Sequence, residues 1–501
     1  MTRLVVFIIS HWKKTRKPMS FDPLTKLLAT TEFAWRREPT PPVPLTDIQW
    51  RADACGPGSI LFFQRHDDGR DDAELYRRYL AAGAFSVLVT NRMLDCFPAL
   101  PGKGIFVTRP GDWPRVVGRF CDLLYPLAGI ADGFVGITGT NGKTTTVKYL
   151  EAMLRAHGRR VLTVGTLGVS LSGEPIAQTG FTSPPRIELR RLLHAHRGRY
   201  DLVALEVSSH ALDQGRLHGI PLRDAGWTNF SQDHLDYHRD EAAYFAAKAR
   251  ILALIRAGGR LFCTSPEVVA RLEQAGSPPV PIRYLNTAPL GSEAIAAKPF
   301  LALQHNRENY TLAATLAATL LGPEERPSWR HLTAVDGRFA CRVVGKRTLV
   351  VDFAHTPAAL ETILTAIRRG FPDARILTLF GCGGDRDHGK RALMGAAAAR
   401  HSDQVILTSD NPRTEDPERI IADILTGMPS AEREVVVERP RAIARLFDRL
   451  AERPPDEPWV GLIAGKGHER YIDRNGHKTY YSDQNEVERN LRRLGWVSGP
   501  G

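Results

Sequence analysis

The chain has 501 residues, 43% of them hydrophobic and 24% charged, with a formal charge of +12 at pH 7. That balance fits a soluble globular protein of about two to four domains and excludes disordered and collagen-like classes. Lys and Arg are dispersed and accompany no nucleic-acid module, so the charge selects no nucleic-acid partner; binding of nucleotide-like polyanions, or Arg-rich coding, accounts for it equally.

No apolar run approaches the roughly 20 residues that span a bilayer, so no membrane partner is expected. The opening MTRLVVFIISHWKKTRKPMSF has a short apolar core, a basic run after it and no small-residue cleavage site. Residues 1–18 therefore read as a poorly ordered leader, with Met19 as an alternative start, and not as an export signal. Residues 1–128 carry short strands (SILFF, FSVLVT, GIFVT) and a helical stretch, DDAELYRRYLAAGA. From 129 to 335, strands in RVLTVGTLG, LVALEVS and RLFCT alternate with helices in KTTTVKYLEAMLRAHG and EAAYFAAKARILALI. From 336 to 501 the alternation repeats, from TLVVDFA and PAALETILTAIRRGF to PWVGLIAG. Such alternation predicts an α/β fold in three domains, with right-handed βαβ units and mostly parallel sheets. Ligands then bind beyond the carboxyl ends of the strands, where the polar motifs fall.

Cys55, Cys96, Cys121, Cys263, Cys341 and Cys382 show no C-x-x-C spacing. A disulfide framework and a cysteine zinc site are thereby excluded, and a reducing cytoplasm is expected.

GITGTNGKTTTVKYL is the most informative stretch. Gly139, Gly142, Lys143 and Thr144 form a short G-x-x-G-K-T phosphate loop between a strand and a helix. Ile137 stands where the longer Walker pattern has its first glycine. Glycines let backbone N–H groups close on phosphate, Lys reaches the terminal phosphates and Thr offers a hydroxyl to Mg²⁺. Glu206 ends the strand LVALE, placed either for Mg²⁺ or to cap the next helix. His234 and His238 have the i,i+4 spacing of a zinc pair but lack an evident third ligand, so zinc is not expected. Ser409-Asp410-Asn411 matches a β-lactamase triplet whose companion motifs are absent, and is read as chance.

Taken together and in order, GTNGKTTT, EVSSHALDQGR, TNFSQDHLDYH, AAKARIL, HNRENYTLAATLA, VVDFAHTPAAL, GCGGDRDHGKR, TSDNPRTEDP and GKGHE resemble the Mur ligases. These are ATP-dependent enzymes of bacterial cell-wall precursor synthesis, and the match covers about residues 130–490. The chain is most similar to members that add the third peptide residue to UDP-N-acetylmuramoyl-L-alanyl-D-glutamate. The resemblance implies a smaller N-terminal UDP-substrate domain, a central P-loop-type ATPase domain and a C-terminal Rossmann-like amino-acid domain, acting as a cytoplasmic monomer. ATP contacts fall on Gly139, Thr140, Asn141, Gly142, Lys143, Thr144, Thr145, Asn306, Arg338, Asp352 and His355. Mg²⁺ falls on Thr144, Glu206, His234 and Lys248, the last as a carbamate; Lys143, His234 and Lys248 carry catalysis. The muramyl dipeptide falls on Thr182, Ser183, Ser208 and Arg216. Diaminopimelate falls on Arg386, Asp410, Asn411, Arg413, Gly465 and Glu469. Arg413 of DNPR suits bidentate pairing with the distal carboxylate and favours diaminopimelate over lysine.

Three departures stand out. Arg51, Ala52 and Asp53 occupy the place of the family's Asp-Ser-Arg, which helps hold UDP. Leu303-Gln304-His305-Asn306 replaces Gly-x-Phe-Asn at the nucleotide, and the segment between Leu252 and His305 is short, with LFCTSPE where relatives carry an Asn and Asp pair. These leave two alternatives: a paralogue forming an amide on another carboxylate, and a non-catalytic nucleotide-binding scaffold. The complete set Lys143, Glu206, His234 and Lys248 argues against the scaffold.

Overall fold

The computed structural model describes residues 34–37, 45–63, 80–81, 83–91, 102–127, 133–276, 278–335, 339–429, 432–467 and 469–496. The leader, the Met19 start, Cys96 and most of the helical stretch over 71–84 lie outside them; Leu80 and Ala81 of that stretch are helical. The chain divides into two compact units.

One unit comprises the described residues below 132 with Pro184–Gly198 and Gly215–Ile220. Its sheet has β1 (Ala34–Arg37), β2 (Asp47–Gln49), β3 (Ser59–Phe63), β4 (Val87–Thr90) and β5 (Gly104–Val107), in the order β1-β5-β4-β3-β2. All pairs are parallel except β1 with β5. SILFF is buried throughout, as a strand covered on both faces requires. Phe62 meets Trp113 and Phe120 edge-on at 5.6 and 5.2 Å. The helix Arg186–Ala195, from the middle of the chain, packs here: Ile187 joins that core, and Arg190 donates to Gly219 O at 2.8 Å and pairs with Asp122.

The other unit holds two larger sheets. The first has β6 (Phe134–Thr138), β7 (Val161–Gly165), β8 (Gly168–Leu171), β9 (Glu174–Ala177), β10 (Leu202–Glu206), β11 (Asp224–Trp227), β12 (Leu261–Cys263) and β13 (Ile282–Tyr284). Their order is β13-β12-β11-β6-β10-β7-β8-β9. Six strands run parallel; β8 and β9 add an antiparallel edge. The run RVLTVGTLG thus folds back on itself. Ser172 and Gly173, both at positive φ, form the next tight turn, whose handedness matches the strand twist. The helices Lys143–Ala156 and Gln304–Leu320 pack side by side on this sheet. EAAYFAAKARILALI is α-helical only over Glu241–Ala249 and tightens to a 3₁₀ turn over Arg250–Leu254, a common way for a helix to end.

The second sheet has β14 (Ala340–Val344), β15 (Arg347–Asp352), β16 (Arg375–Phe380), β17 (Gln404–Leu407), β18 (Arg433–Val435) and β19 (Trp459–Ala464), ordered β14-β15-β19-β16-β17-β18. Only β14 runs antiparallel. WVGLIA is buried at every position, consistent with a central strand covered on both faces. A separate hairpin joins β20 (Tyr471–Arg474) to β21 (His477–Tyr480).

Leu316 is fully buried in the core that both helices share. Leu316→Ala should lower stability by about 2–5 kcal/mol through lost burial and a residual cavity. Urea unfolding followed by tryptophan fluorescence measures it; a loss below about 1 kcal/mol would contradict this packing.

Candidate active site

The loop after β6 is shaped by what its glycines approach. Gly139 and Gly142 have φ of +137° and +84°, and a Cβ on either would collide with Thr228 Oγ1 or Asn309 Oδ1 respectively. Thr140 N donates to Asn229 O at 3.0 Å and Asn141 N to Asn229 Oδ1 at 2.9 Å. Thr140 Oγ1 accepts from Ser231 N at 3.0 Å. Gly142 caps the helix Lys143–Ala156 without a side chain, so the N–H groups of its first turn meet no capping oxygen. A helix start of this kind favours an anion.

Parallel pairing puts Glu206 opposite Ile137 and Trp227 opposite Thr138. The ends of β10 and β11 therefore flank the loop. Glu206 is buried and accepts from Thr144 Oγ1 at 2.9 Å and from Thr166 N and Oγ1, each at 3.0 Å. Among the described residues its side-chain oxygens meet only these neutral donors. A buried carboxylate held only by neutral donors lacks its counter-charge. The Thr144–Glu206 pair, with oxygen donors only, fits a hard divalent cation. Thr166 Oγ1 lies 3.0 Å from Thr182 Oγ1, and Ser183 Oγ donates to Glu206 O at 2.8 Å and lies 3.3 Å from Ser208 Oγ. Ser208 also caps the helix Ser209–Asp213. Thr182, Ser183, Ser208 and Glu206 are thus one cluster, whereas Arg216 belongs to the first unit.

Two lysine amines converge on one carbonyl. Lys143 Nζ donates to Gly139 O at 2.9 Å and to Thr140 O at 2.8 Å, and Lys248 Nζ reaches the same Gly139 O at 2.7 Å. Lys248 is buried, and burial together with Lys143 holds its amine well below the usual lysine range. An uncharged amine at that position is a nucleophile. His234 sits at φ +54° beside Asp233, and burial pushes its ring down to about 4, leaving it neutral near pH 7. Its ring is 5.0 Å from that of His210, while His238 bonds Ser209 Oγ at 3.0 Å. His234 and His238 lie in a turn and not on a helix.

The carboxyl ends of β15, β16, β17 and β19 line a cleft of about 150 Å³. Arg386, Asp410, Asn411, Arg413, Gly465 and Glu469 all face it, as do Asp233, His234, His355 and Lys390. Arg413 is at φ +51°, anchored by its N–H to Asp473 O at 3.0 Å and by Nη1 to Gly384 O at 2.5 Å. Arg386 Nη1 lies 3.5 Å from Asp236 Oδ2. Gly465 has φ +114°, and a Cβ there would stand 2.7 Å from Asp410 Oδ2. Lys390 Nζ donates to His355 O at 3.0 Å. Asp352 accepts from Phe339 N and Ala354 N, both at 2.7 Å, and so shapes the turn that carries His355.

Asn306 is buried and donates to Phe300 O at 2.9 Å, while Asn309, one turn on, is the residue that touches the phosphate loop, accepting from Thr146 Oγ1 at 3.3 Å. Sequence reasoning passed over Asn309, although its spacing from Asn306 puts both on neighbouring positions of one helix face. It also passed over Asn229, Lys390 and Lys466. Arg338 lies outside the described residues.

A family model described as Mur ligase middle domain matches residues 137–315, and one described as Mur ligase, glutamate ligase domain matches 337–467. A curated UDP-N-acetylmuramoyl-L-alanyl-D-glutamate–2,6-diaminopimelate ligase of Synechococcus elongatus is 37% identical, spanning 88% of this chain and 93% of its own. Its namesake from Lawsonia intracellularis is 36% identical, over 81% and 88%. A solved structure of a ligase of that name matches with a TM-score of 0.62 at 26% identity, covering 96% of this chain and all of its own. MurF ligase of Thermotoga maritima in complex with ADP shares the fold at a TM-score of 0.56 and 16% identity, over 89% and 96%.

Gly142→Ala should weaken ATP binding at least about tenfold, because positive φ strains alanine and its Cβ displaces Asn309 from the loop. Titration with a fluorescent ATP analogue measures this; unchanged affinity in the folded variant would remove the loop from the nucleotide site.

Proposed function

The chain belongs to the Mur ligase family, and on that premise we propose that it joins meso-diaminopimelate to UDP-N-acetylmuramoyl-L-alanyl-D-glutamate, as a cytoplasmic monomer. It is an ATP-dependent, ADP-forming amide ligase. The observation that carries the reading is the convergence of Arg386, Asp410, Asn411, Arg413, Gly465 and Glu469 on one cleft, which His234 and His355 also line. No helix among the described residues is long and apolar enough to cross a membrane. The three large sheets are read as the cores of three domains, with boundaries near 128 and 335.

A substrate carboxylate oxygen attacks the γ-phosphorus of ATP; the bond to the ADP oxygen breaks and an acyl phosphate forms. The amine nitrogen then adds to the acyl carbon and loses a proton, and the carbon–oxygen bond to phosphate breaks. The barrier in the first step is the meeting of two anions. Lys143 swings from the Gly139 and Thr140 carbonyls to the terminal phosphates, while Thr140, Asn141 and Thr145 border them. Thr144, Glu206, neutral His234 and a carbamylated Lys248 would hold Mg²⁺, which supplies charge neutralisation there. The carbamate requires the uncharged Lys248 amine to attack CO₂ and shed a proton, and the depressed basicity of this buried lysine supports that step. Asn306, Arg338, Asp352 and His355 are assigned to the nucleotide. Thr182, Ser183, Ser208 and Arg216 are assigned to the dipeptide arm, and Arg413 to the distal carboxylate of diaminopimelate.

One observation favours amide formation on a different carboxylate. Arg51 and Asp53 pair with each other on the surface, with Arg51 Nε 2.9 Å from Asp53 Oδ1, and Ala52 between them is buried. The segment thus spends its charges internally and offers no hydroxyl.

ATP-dependent phosphate release with the muramyl dipeptide should appear with diaminopimelate and not with L-lysine or without amine, giving a product of matching mass. Silence with every amine, from protein that binds ATP, would point to another carboxylate substrate. Lys248→Ala should be inactive and regain activity with short carboxylates; full activity without rescue would sink the carbamate assignment.

A further inference from the structure

Behind the amine-side wall of the cleft runs a row of buried charges. Asp483 and Arg439 are fully buried and share hydrogen bonds of 2.8 and 2.7 Å. Arg439 Nη1 lies 4.0 Å from Asp410 Oδ2. Lys466, also fully buried, places Nζ 3.5 Å from Asp410 Oδ1, 2.9 Å from Asn411 Oδ1 and 3.2 Å from Glu469 Oε2. Sign alternates from core to cleft through Asp483, Arg439, Asp410, Lys466 and Glu469. Three carboxylates meet two cations, and the surplus negative charge stands at the cleft.

The same contacts fix orientation. Asn411 Oδ1 accepts from both Lys466 Nζ and Asp473 N, the latter at 3.0 Å, so its Nδ2 is left to donate to Glu469 Oε2 at 2.8 Å. An ammonium has three donors, and those of Lys466 are taken up by Asp410, Asn411 and Glu469, leaving none for a ligand.

We propose that Lys466 is a positioning residue for the incoming amino acid. It holds Asp410, Asn411 and Glu469 in one arrangement and leaves the row with one more carboxylate than cation, at the face that receives a substrate ammonium. The inference rests on reading this cleft as the amine site. Burial and Asp410 push Glu469 above its ordinary value, and Lys466 pulls it down. Burial would likewise raise Asp410, but Lys466 and Arg439 hold it below. The other charged or titratable groups at this end are Tyr471 and Asp473 beside Glu469, Arg413 from the Asp410 loop, and Arg386, Asp387, Lys390, His355, Asp233, His234 and Asp236 across the cleft.

Lys466→Met in the full chain should raise KM for diaminopimelate at least about tenfold with kcat and the KM for ATP little changed. Removing the cation raises the Glu469 pKa, so the acid limb of kcat/KM should move to higher pH by about one unit. A second readout needs no substrate: in protein labelled with ¹³C at glutamate Cδ, the resonance lost in Glu469→Gln should titrate at higher pH in Lys466→Met. If that variant does not fold, Lys466→Arg serves. It should keep the Glu469 midpoint, because the charge remains, yet raise KM for diaminopimelate, because a planar fork cannot meet these three acceptors. An unmoved Glu469 midpoint in Lys466→Met, equal losses for ATP and diaminopimelate, or a wild-type KM in Lys466→Arg overturns the proposal. A moved midpoint in protein that never uses diaminopimelate would instead overturn the reading of the cleft and leave the positioning role standing.

Discussion

The parallel pairing of β6 between β10 and β11 is the constraint on which the phosphate end depends. With Ile137 opposite Glu206 and Thr138 opposite Trp227, three strand ends deliver their loops at one level. The glycine loop, the buried carboxylate and the Thr228–His234 segment meet there. A slip of one residue would turn Glu206 to the other face of the sheet. The apolar runs that bury both faces therefore do more than fill the core; they hold register for charged groups that have little affinity for one another.

Those groups are held in a state that a bound polyanion would relieve. Lys143 and Lys248 point at a single carbonyl oxygen, and Glu206, buried nearby on β10, has only neutral donors. Two lysine side chains and a buried carboxylate held by neutral donors stand at the same strand ends. In the proposed reading a nucleotide phosphate would meet the lysines and a divalent cation the carboxylate, so one ligand complex would serve both. The second sheet solves its problem differently: Arg439 and Lys466 are interleaved with Asp410, Asp483 and Glu469, and only one charge is left over.

Legibility in the sequence followed the range of the interactions. The strand–loop–helix unit at 134–156 could be read because its signal is local: a strand, glycines at the turns, then a helix. The residues that the family resemblance implies for diaminopimelate share one cleft because each of their motifs follows a strand, and a parallel sheet gathers such motifs at one edge. Asn309 was missed because its partner, Gly142, is distant in sequence. Lys466 was missed because a lysine in a loop reads as solvated until its burial is known. The docking of Arg186–Ala195 in the first unit was hidden for the same reason: Arg190 and Ile187 look like ordinary helix residues until Asp122 and Phe120 stand beside them. The β7–β8 reversal was not legible in the β-rich run RVLTVGTLG, because apolar content outweighed the glycines at 165 and 168.

The departures from the family pattern are unevenly placed, and that distribution carries an argument. The second unit carries the family's Lys143, Glu206, His234 and Lys248 at neighbouring strand ends, whereas the first presents Arg51 and Asp53 paired with each other. A side chain already neutralised by its neighbour can bind a nucleotide diphosphate or uracil edge only by giving up that pair, although an exposed pair holds little energy, about 0–1 kcal/mol. The pair is therefore no barrier to a ligand that offers better partners, and the missing hydroxyl is the larger change, since buried Ala52 has nothing to offer in its place. Under the proposed function the uridine end would be recognised by other parts of the first unit, and the chemistry assigned to the second would rest on residues that this substitution does not touch.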